Sequence, residues 1–164
     1  MNPLRGGWLV GLTFFAAATL AVAHLPAGLP EWVGWLRPAW VPLVLFFWIL
    51  ERPHRIGLIS VWAFGLLLDV VLSEPLGLNG FALTVMAVLG LSAYERLRMI
   101  NVFQQAAALL LLVLAAEFGK TLVVAFAQGA PLSGQFVAAA AVTALLWPLV
   151  VGPLRWATWR AGTA

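Results

Sequence analysis

Six long apolar runs, separated by short breaks rich in Gly, Pro and charge, constrain this 164-residue chain more than any other feature. A helix needs about 20 mostly apolar residues to cross a hydrocarbon core of about 30 Å. The runs read as spans over residues 8–23, 38–50, 56–73, 78–94, 106–127 and 136–154. They are continuously apolar and rich in Leu and Ala, whereas the strands of membrane barrels alternate over about 10 residues. The expected fold is an all-α polytopic membrane protein of about six transmembrane helices, forming one membrane-embedded domain over residues 1–164. Composition agrees: 63% of residues are hydrophobic and 9% charged, against roughly a quarter charged in soluble domains.

The breaks carry turn chemistry. Residues 25–30 (LPAGLP), 51–55 (ERPHR), 74–80 (EPLGLNG) and 128–135 (QGAPLSGQ) mix Pro or Gly with polar groups, as loops do. The break at 95–105 (ERLRMINVFQQ) has neither Gly nor Pro and reads as a helix carried into the headgroups. The second span is short. Its 13 residues between Arg37 and Glu51 give about 20 Å of helix. It has to thin the bilayer, snorkel its flanking charges or recruit residues 31–36, with Trp32 and Trp35 at the interface; a re-entrant hairpin is the alternative.

Loop charge sets the orientation. With the amino terminus inside, Arg5, Arg52, Arg55, Arg96, Arg98, Arg155 and Arg160 are cytoplasmic and Arg37 alone is outside, as the positive-inside rule requires. Both termini are then cytoplasmic. Trp8, Trp32, Trp35, Trp40, Trp48, Trp147, Trp156 and Trp159 fall at or near span ends, where amphipathic rings collect, and Trp62 does not. Arg5, an apolar run and Ala21-Val22-Ala23 also look like a secretory signal with an A-x-A site; the run is read here as a span, and cleavage would leave the other five oriented the same way.

The pI near 10.7 does not point to nucleic acid. The net charge is only +3, and the basic residues are scattered rather than gathered in a patch or stripe. There is no Cys, hence no disulfide framework or thiolate site. HExxH, GxSxG, the P-loop and zinc-ligand clusters are all missing from the sequence. His54 stands alone in its loop, and the topology puts His24 across the membrane from it. The sequence thus offers no catalytic set, no metal site and no cofactor motif.

Charges inside spans are functional hypotheses by default, and there are three: Asp69, Glu117 and Lys120. Gly65, Asp69 and Ser73 share one face of the third span at a spacing of four. A small residue beside an acid marks a face packed on another helix. Asp69 is read as bonding to a neighbouring helix or capping a buried network, with pairing to Lys120 as an alternative. Glu117 and Lys120, three apart, read as a self-neutralising pair, with Thr121 and Gln128 continuing that face. The outer loops offer few other polar groups: Glu31, Arg37, Glu74, Asn79, Gln128, Ser133 and Gln135.

Several segments together resemble a known family. Arg37-Pro38-Ala39-Trp40 enters the second span, and Phe47-Trp48-Ile49-Leu50 leads into Pro53-His54-Arg55. Gly65 precedes Leu68-Asp69, Leu76-Gly77 follows, Gln104-Gln105 stands before the fifth span, and Leu146-Trp147-Pro148 lies in the last. This order is similar to that of the rod shape-determining MreD family, over residues 37–155, most specifically from Arg37 to Gly77. The resemblance implies a non-enzymatic membrane subunit of the bacterial cell-elongation machinery in the cytoplasmic (inner) membrane. The implied partners are the bitopic protein MreC, MreB filaments through it, and RodA with its partner transpeptidase, which build lateral-wall peptidoglycan. It also implies a fold like that of the substrate-binding membrane subunits of vitamin importers.

Carried over by position, Pro53, His54 and Arg55 form a cytoplasmic turn in which Pro53 breaks the helix and Arg55 reaches lipid phosphate or a partner. Asp69 organises helix packing. The family pattern leads one to expect an acid in the fifth span but not a lysine one turn later, so Glu117 with Lys120 is a departure. A transporter's small-molecule-binding subunit is the competing reading; it requires a pocket open to the outside with convergent donors.

Overall fold

The computed structural model describes residues 7–22, 36–129 and 134–160. Arg5, His24, Glu31, Trp32, Trp35 and Ser133, and the last residue of the A-x-A motif, lie outside these. Among the described residues, six helices appear in chain order: α1 (Gly7–Val22), α2 (Trp40–Glu51), α3 (Leu58–Leu72), α4 (Leu78–Met99), α5 (Val102–Gln128) and α6 (Gln135–Arg160), with a 3-10 turn at Pro53–Arg55 between α2 and α3. Helices α4, α5 and α6 are long and apolar enough to cross a membrane; α1, α2 and α3 are shorter apolar helices. The fold is all-helical, as the apolar runs require.

Side-chain bonds fix how the helices run. Arg37 donates to Ala21 O at 2.8 Å and Trp48 Nε1 to Thr13 Oγ1 at 2.8 Å, so α1 and α2 are antiparallel. The Ala39 N–H donates to Thr143 Oγ1 at 2.8 Å and Arg155 Nε to Glu51 Oε1 at 2.7 Å, so α2 and α6 run parallel in constant register. Trp147 Nε1 donates to Gln105 Oε1 at 3.3 Å, while Phe118 meets Phe136 further along, making α5 and α6 antiparallel. Arg52, Arg55, Arg96, Arg98, Arg155 and Arg160 thereby gather at one end of the bundle and Arg37 lies at the other.

α2 is the axis of the fold. Every residue from Val41 to Leu50 is buried, which follows from a sequence with no polar face. The helix packs against α1, α4, α5 and α6. Its 12 residues make only about 18 Å of helix, but lipid does not reach its sides. Residues 31–35, expected to help it reach the interface, lie outside the described residues. The residue before a proline avoids the helical region, so α2 stops at Glu51, with Arg52 at φ −148°.

Two of the tryptophans expected at the interface are core residues instead. Trp48 is 1% exposed and Trp147 0%, each with its indole N–H bonded to a polar side chain, as buried Trp requires. Phe46 packs edge-on to Trp147 at 4.9 Å. Trp8, Trp156 and Trp159 are exposed near helix ends, as expected, and Trp62 is exposed along α3.

The break at 95–105 is resolved by a cap. α4 continues to Met99 and α5 starts at Val102, with Asn101 and Gln104 forming a reciprocal capping box. Small residues set the closest helix contacts. A Cβ at Gly65 would overlap the Gly80 backbone, and one at Gly90 would lie 2.9 Å from Ile49 Cδ1. Gly65→Ala therefore forces α3 and α4 apart, and the expected loss is about 1–3 kcal/mol, read as a lower unfolding midpoint in detergent. Gly11→Ala, where a Cβ meets nothing within 4 Å, is expected to leave the midpoint unchanged or raise it.

Candidate functional site

The end of the bundle opposite the arginines holds a polar site built around Asp69. α3 stops in a Schellman turn: Ser73 is left-handed at φ 56°, the Glu74 N–H donates to Asp69 O at 2.9 Å and the Ser73 N–H to Val70 O at 3.4 Å. The chain then folds back along α3, so that α4 begins beside Asp69 and Gly65 rather than beyond the end of α3. A helix start placed there has first-turn backbone N–H groups that its own helix cannot pair. Asp69, fully buried, takes them instead. Its Oδ2 accepts from the Gly77 N–H at 2.7 Å, and its Oδ1 accepts from the Asn79 N–H and Asn79 Nδ2, each at 2.8 Å. A carboxylate at a helix N-terminus is favoured by the dipole as well, by up to ~2 kcal/mol when partly buried. Gly77 is required at the junction because its φ is +93°.

From Asp69 the polar contacts continue outward. Asn79 gives a second amide hydrogen to Glu74 Oε2 at 2.7 Å. Lys120 lies 3.6 Å from Glu74 Oε2 and 3.5 Å from Glu117 Oε2. Asp69, Asn79, Glu74, Lys120 and Glu117 thus form one chain of contacts across α3, the α3–α4 turn, α4 and α5. The Glu117–Lys120 pair read from spacing is present, and Lys120 holds Glu74 as well. The Asp69–Lys120 alternative is not realised, because backbone and amide donors fill the Asp69 oxygens. Thr121, one turn further along α5, donates its hydroxyl back to Glu117 O at 2.9 Å.

Asn79, Glu74, Glu117 and Lys120, but not Asp69, border an open cleft of about 290 Å³. Arg37, Glu74, Asn79, Glu117 and Lys120 supply its polar wall, and Pro38 and Trp40 are among its apolar ones. Two cations face two carboxylates, so the lining is balanced in charge. Read along the chain, Glu74 and Asn79 are merely scattered loop polarity. The fold brings them together with the charges of α5, and that convergence is what sequence reasoning missed. Its available signal was Asn79 itself, an amide two residues into a helix and needing acceptors.

The other predicted residues lie elsewhere. Pro53, His54 and Arg55 form the 3-10 turn at the arginine-rich end, so the candidate set divides between the two ends of the bundle. Gly65 lies under α4 and does not line the cleft. Gln105, noted in sequence only as part of a resemblance, is 3% exposed. Its Nε2 donates to Leu97 O at 3.0 Å and Ile100 O at 3.4 Å, closing the end of α4, while its Oε1 accepts from Trp147. Among the described residues, no group of three or more His, Cys, Asp or Glu side chains is placed to hold a metal ion.

The cap gives an ordered prediction. Asp69→Asn keeps one acceptor oxygen and sets an NH2 against a donor, while Asp69→Leu removes both oxygens. A buried donor left unpaired costs about 1–3 kcal/mol. Detergent unfolding midpoints are expected to fall in the order wild type, Asp69→Asn, Asp69→Leu; equal midpoints would remove Asp69 from the account.

Known proteins place the chain. A family model described as rod shape-determining protein MreD matches residues 4–156. The chain is 29% identical over 144 residues to the rod shape-determining protein MreD of Haemophilus influenzae, covering 87% of this chain and 86% of that protein. No solved structure matches the chain, so the implied likeness to vitamin-importer subunits rests on the resemblance alone. With the family model spanning nearly the whole length and six apolar helices in the fold, the chain belongs to the rod shape-determining MreD family.

Proposed function

We propose that this protein is a non-enzymatic, multi-pass subunit of the bacterial cytoplasmic membrane, working in the cell-elongation machinery that sets rod shape. All six helices cross, with the arginine-rich end cytoplasmic and the Asp69 cleft facing outward. This orientation is supported by the separation of six described arginines at one end from Arg37 at the other. Its partners are MreC and, with it, MreB filaments and RodA with its transpeptidase.

The observation that carries the reading further is the cleft. A bitopic partner such as MreC has a single span, and the residues next to that span emerge at the level where Arg37, Glu74, Glu117 and Lys120 converge. A wall with two cations, two carboxylates and the ring of Trp40 suits a short polypeptide segment, which brings both donors and acceptors. It suits an isolated ion less well, because the charges already balance. The shape-determining role needs no chemistry of its own: the chain positions a partner, and the partner acts on wall synthesis.

The same cleft is the specific observation that favours a second reading, a small-molecule-binding subunit of a transporter. Its volume of about 290 Å³ sits at the lower edge of ligand pockets, which run from about 300 to 1,000 Å³.

Mild-detergent purification from the native host, with mass spectrometry of everything retained, separates the two. The proposal expects MreC and the RodA–transpeptidase pair to be recovered. Lys120→Glu, which puts a third carboxylate beside Glu74 and Glu117, is expected to lower MreC recovery at least about tenfold, and Lys120→Arg is expected to keep it. Recovery of an ATP-hydrolysing importer module, or of a bound small molecule with no MreC, would replace this reading with the second.

A further inference from the structure

A second hollow lies away from the cleft, on the lipid-facing side between α1 and α3. α1 leans on α2 through the Thr13–Trp48 bond and through Arg37 at Ala21 O. It meets α3 chiefly where Phe14 and Phe64 touch edge to face at 5.0 Å. The stand-off leaves a crevice of two neighbouring hollows whose walls share Phe15 and Phe64. The part toward the cleft end, about 520 Å³, is lined by apolar side chains such as Ala18, Leu67 and Val71. Its one polar side chain, Thr19, is bonded to Ala16 O at 2.8 Å. The part toward the arginine-rich end, about 280 Å³, has Gly11, Phe14 and Val61 in its wall and Arg55 at its mouth.

The crevice therefore has a long apolar body and a cationic end. Taken together, the two hollows line α3 and its N-cap from Gly57 to Val71, about 20 Å of helix. That exceeds the roughly 15 Å that one leaflet contributes to the hydrocarbon core. At this end Arg52 stands next to Arg55 in the turn, where the Arg55 N–H donates to Arg52 O at 3.0 Å. The Arg52 guanidinium is held below its ordinary pKa first by partial burial and then by the Arg55 charge, with Glu51 opposing. Two cations held together gain from an anion placed between them. A partner helix about 10 Å across does not fit where the two Phe rings already meet.

We propose that this crevice binds one anionic phospholipid of the leaflet at the arginine-rich end, an acyl chain lying between α1 and α3 and the headgroup phosphate on Arg55 and Arg52. The lipid supplies the packing between α1 and α3 that the protein lacks, and so holds α1 against the bundle. Anionic lipid is also what basic residues at a cytoplasmic membrane surface attract.

The test is native mass spectrometry of the delipidated full chain, titrated with phosphatidylglycerol or phosphatidylethanolamine. One phosphatidylglycerol is expected to be retained about tenfold more tightly than phosphatidylethanolamine. Arg52→Gln with Arg55→Gln is expected to erase that preference while apolar retention persists. Gly11→Leu, which fills the crevice where a Cβ meets nothing within 4 Å, is expected to weaken both lipids with the fold intact by circular dichroism. Equal retention of the two lipids by the wild type, or retention unchanged in Gly11→Leu, would overturn the proposal. So would a second copy of the chain retained in place of lipid.

Discussion

The bond set between the Asp69 carboxylate and the first amides of α4 is the interaction on which the rest of this structure depends. Because α4 starts beside α3 rather than past its end, its first N–H groups meet the buried Asp69 side chain, and a buried donor left unpaired is costly. Only a buried acceptor with two oxygens satisfies the Gly77 and Asn79 amides and the Asn79 side chain together. The fold-back requires Gly65 and Gly80 to let the two backbones touch, a left-handed Ser73 to end α3, and a left-handed Gly77 to start α4. Once the turn is fixed, Glu74 is carried to Lys120 and the cleft acquires its polar wall.

This reverses the usual weight given to a charge in a membrane helix. Such a residue is first a suspect for transport or proton transfer. Here Asp69 has a complete structural occupation: three donors surround it, and none of its named contacts reaches the cations of the cleft. The polar residues that do line the opening are Arg37, Glu74, Asn79, Glu117 and Lys120.

Much of the architecture was legible because bilayer physics leaves few choices: the apolar runs became helices, with boundaries moved where a cap was hidden and at the end of α6, which continues past Leu154 to Arg160. α4 and α5 gained turns because Asn101 and Gln104 cap α5 without Gly or Pro to announce it. The burial of α2 was implicit in its lack of a polar face, but its shortness drew attention to mismatch instead. Trp48 and Trp147 were misplaced because proximity to a span end in sequence says nothing about which side of the helix faces protein. The site was half legible: Asp69 and the Glu117–Lys120 pair stand out as charges in apolar runs. Glu74 and Asn79 look like ordinary loop residues until the fold-back carries them inward. The crevice beside Arg55 depends on how far α1 stands from α3, which no local pattern encodes.

Native-state hydrogen exchange at the Gly77 and Asn79 amides tests the central claim most directly. The account predicts that both exchange slowly, opening only with the unfolding of the α3–α4 unit, and that both become fast in Asp69→Leu while amides in the middle of α5 stay protected. Fast exchange at both sites in the wild-type protein would contradict it, because the start of α4 would then be solvated and Asp69 would have no buried helix end to hold.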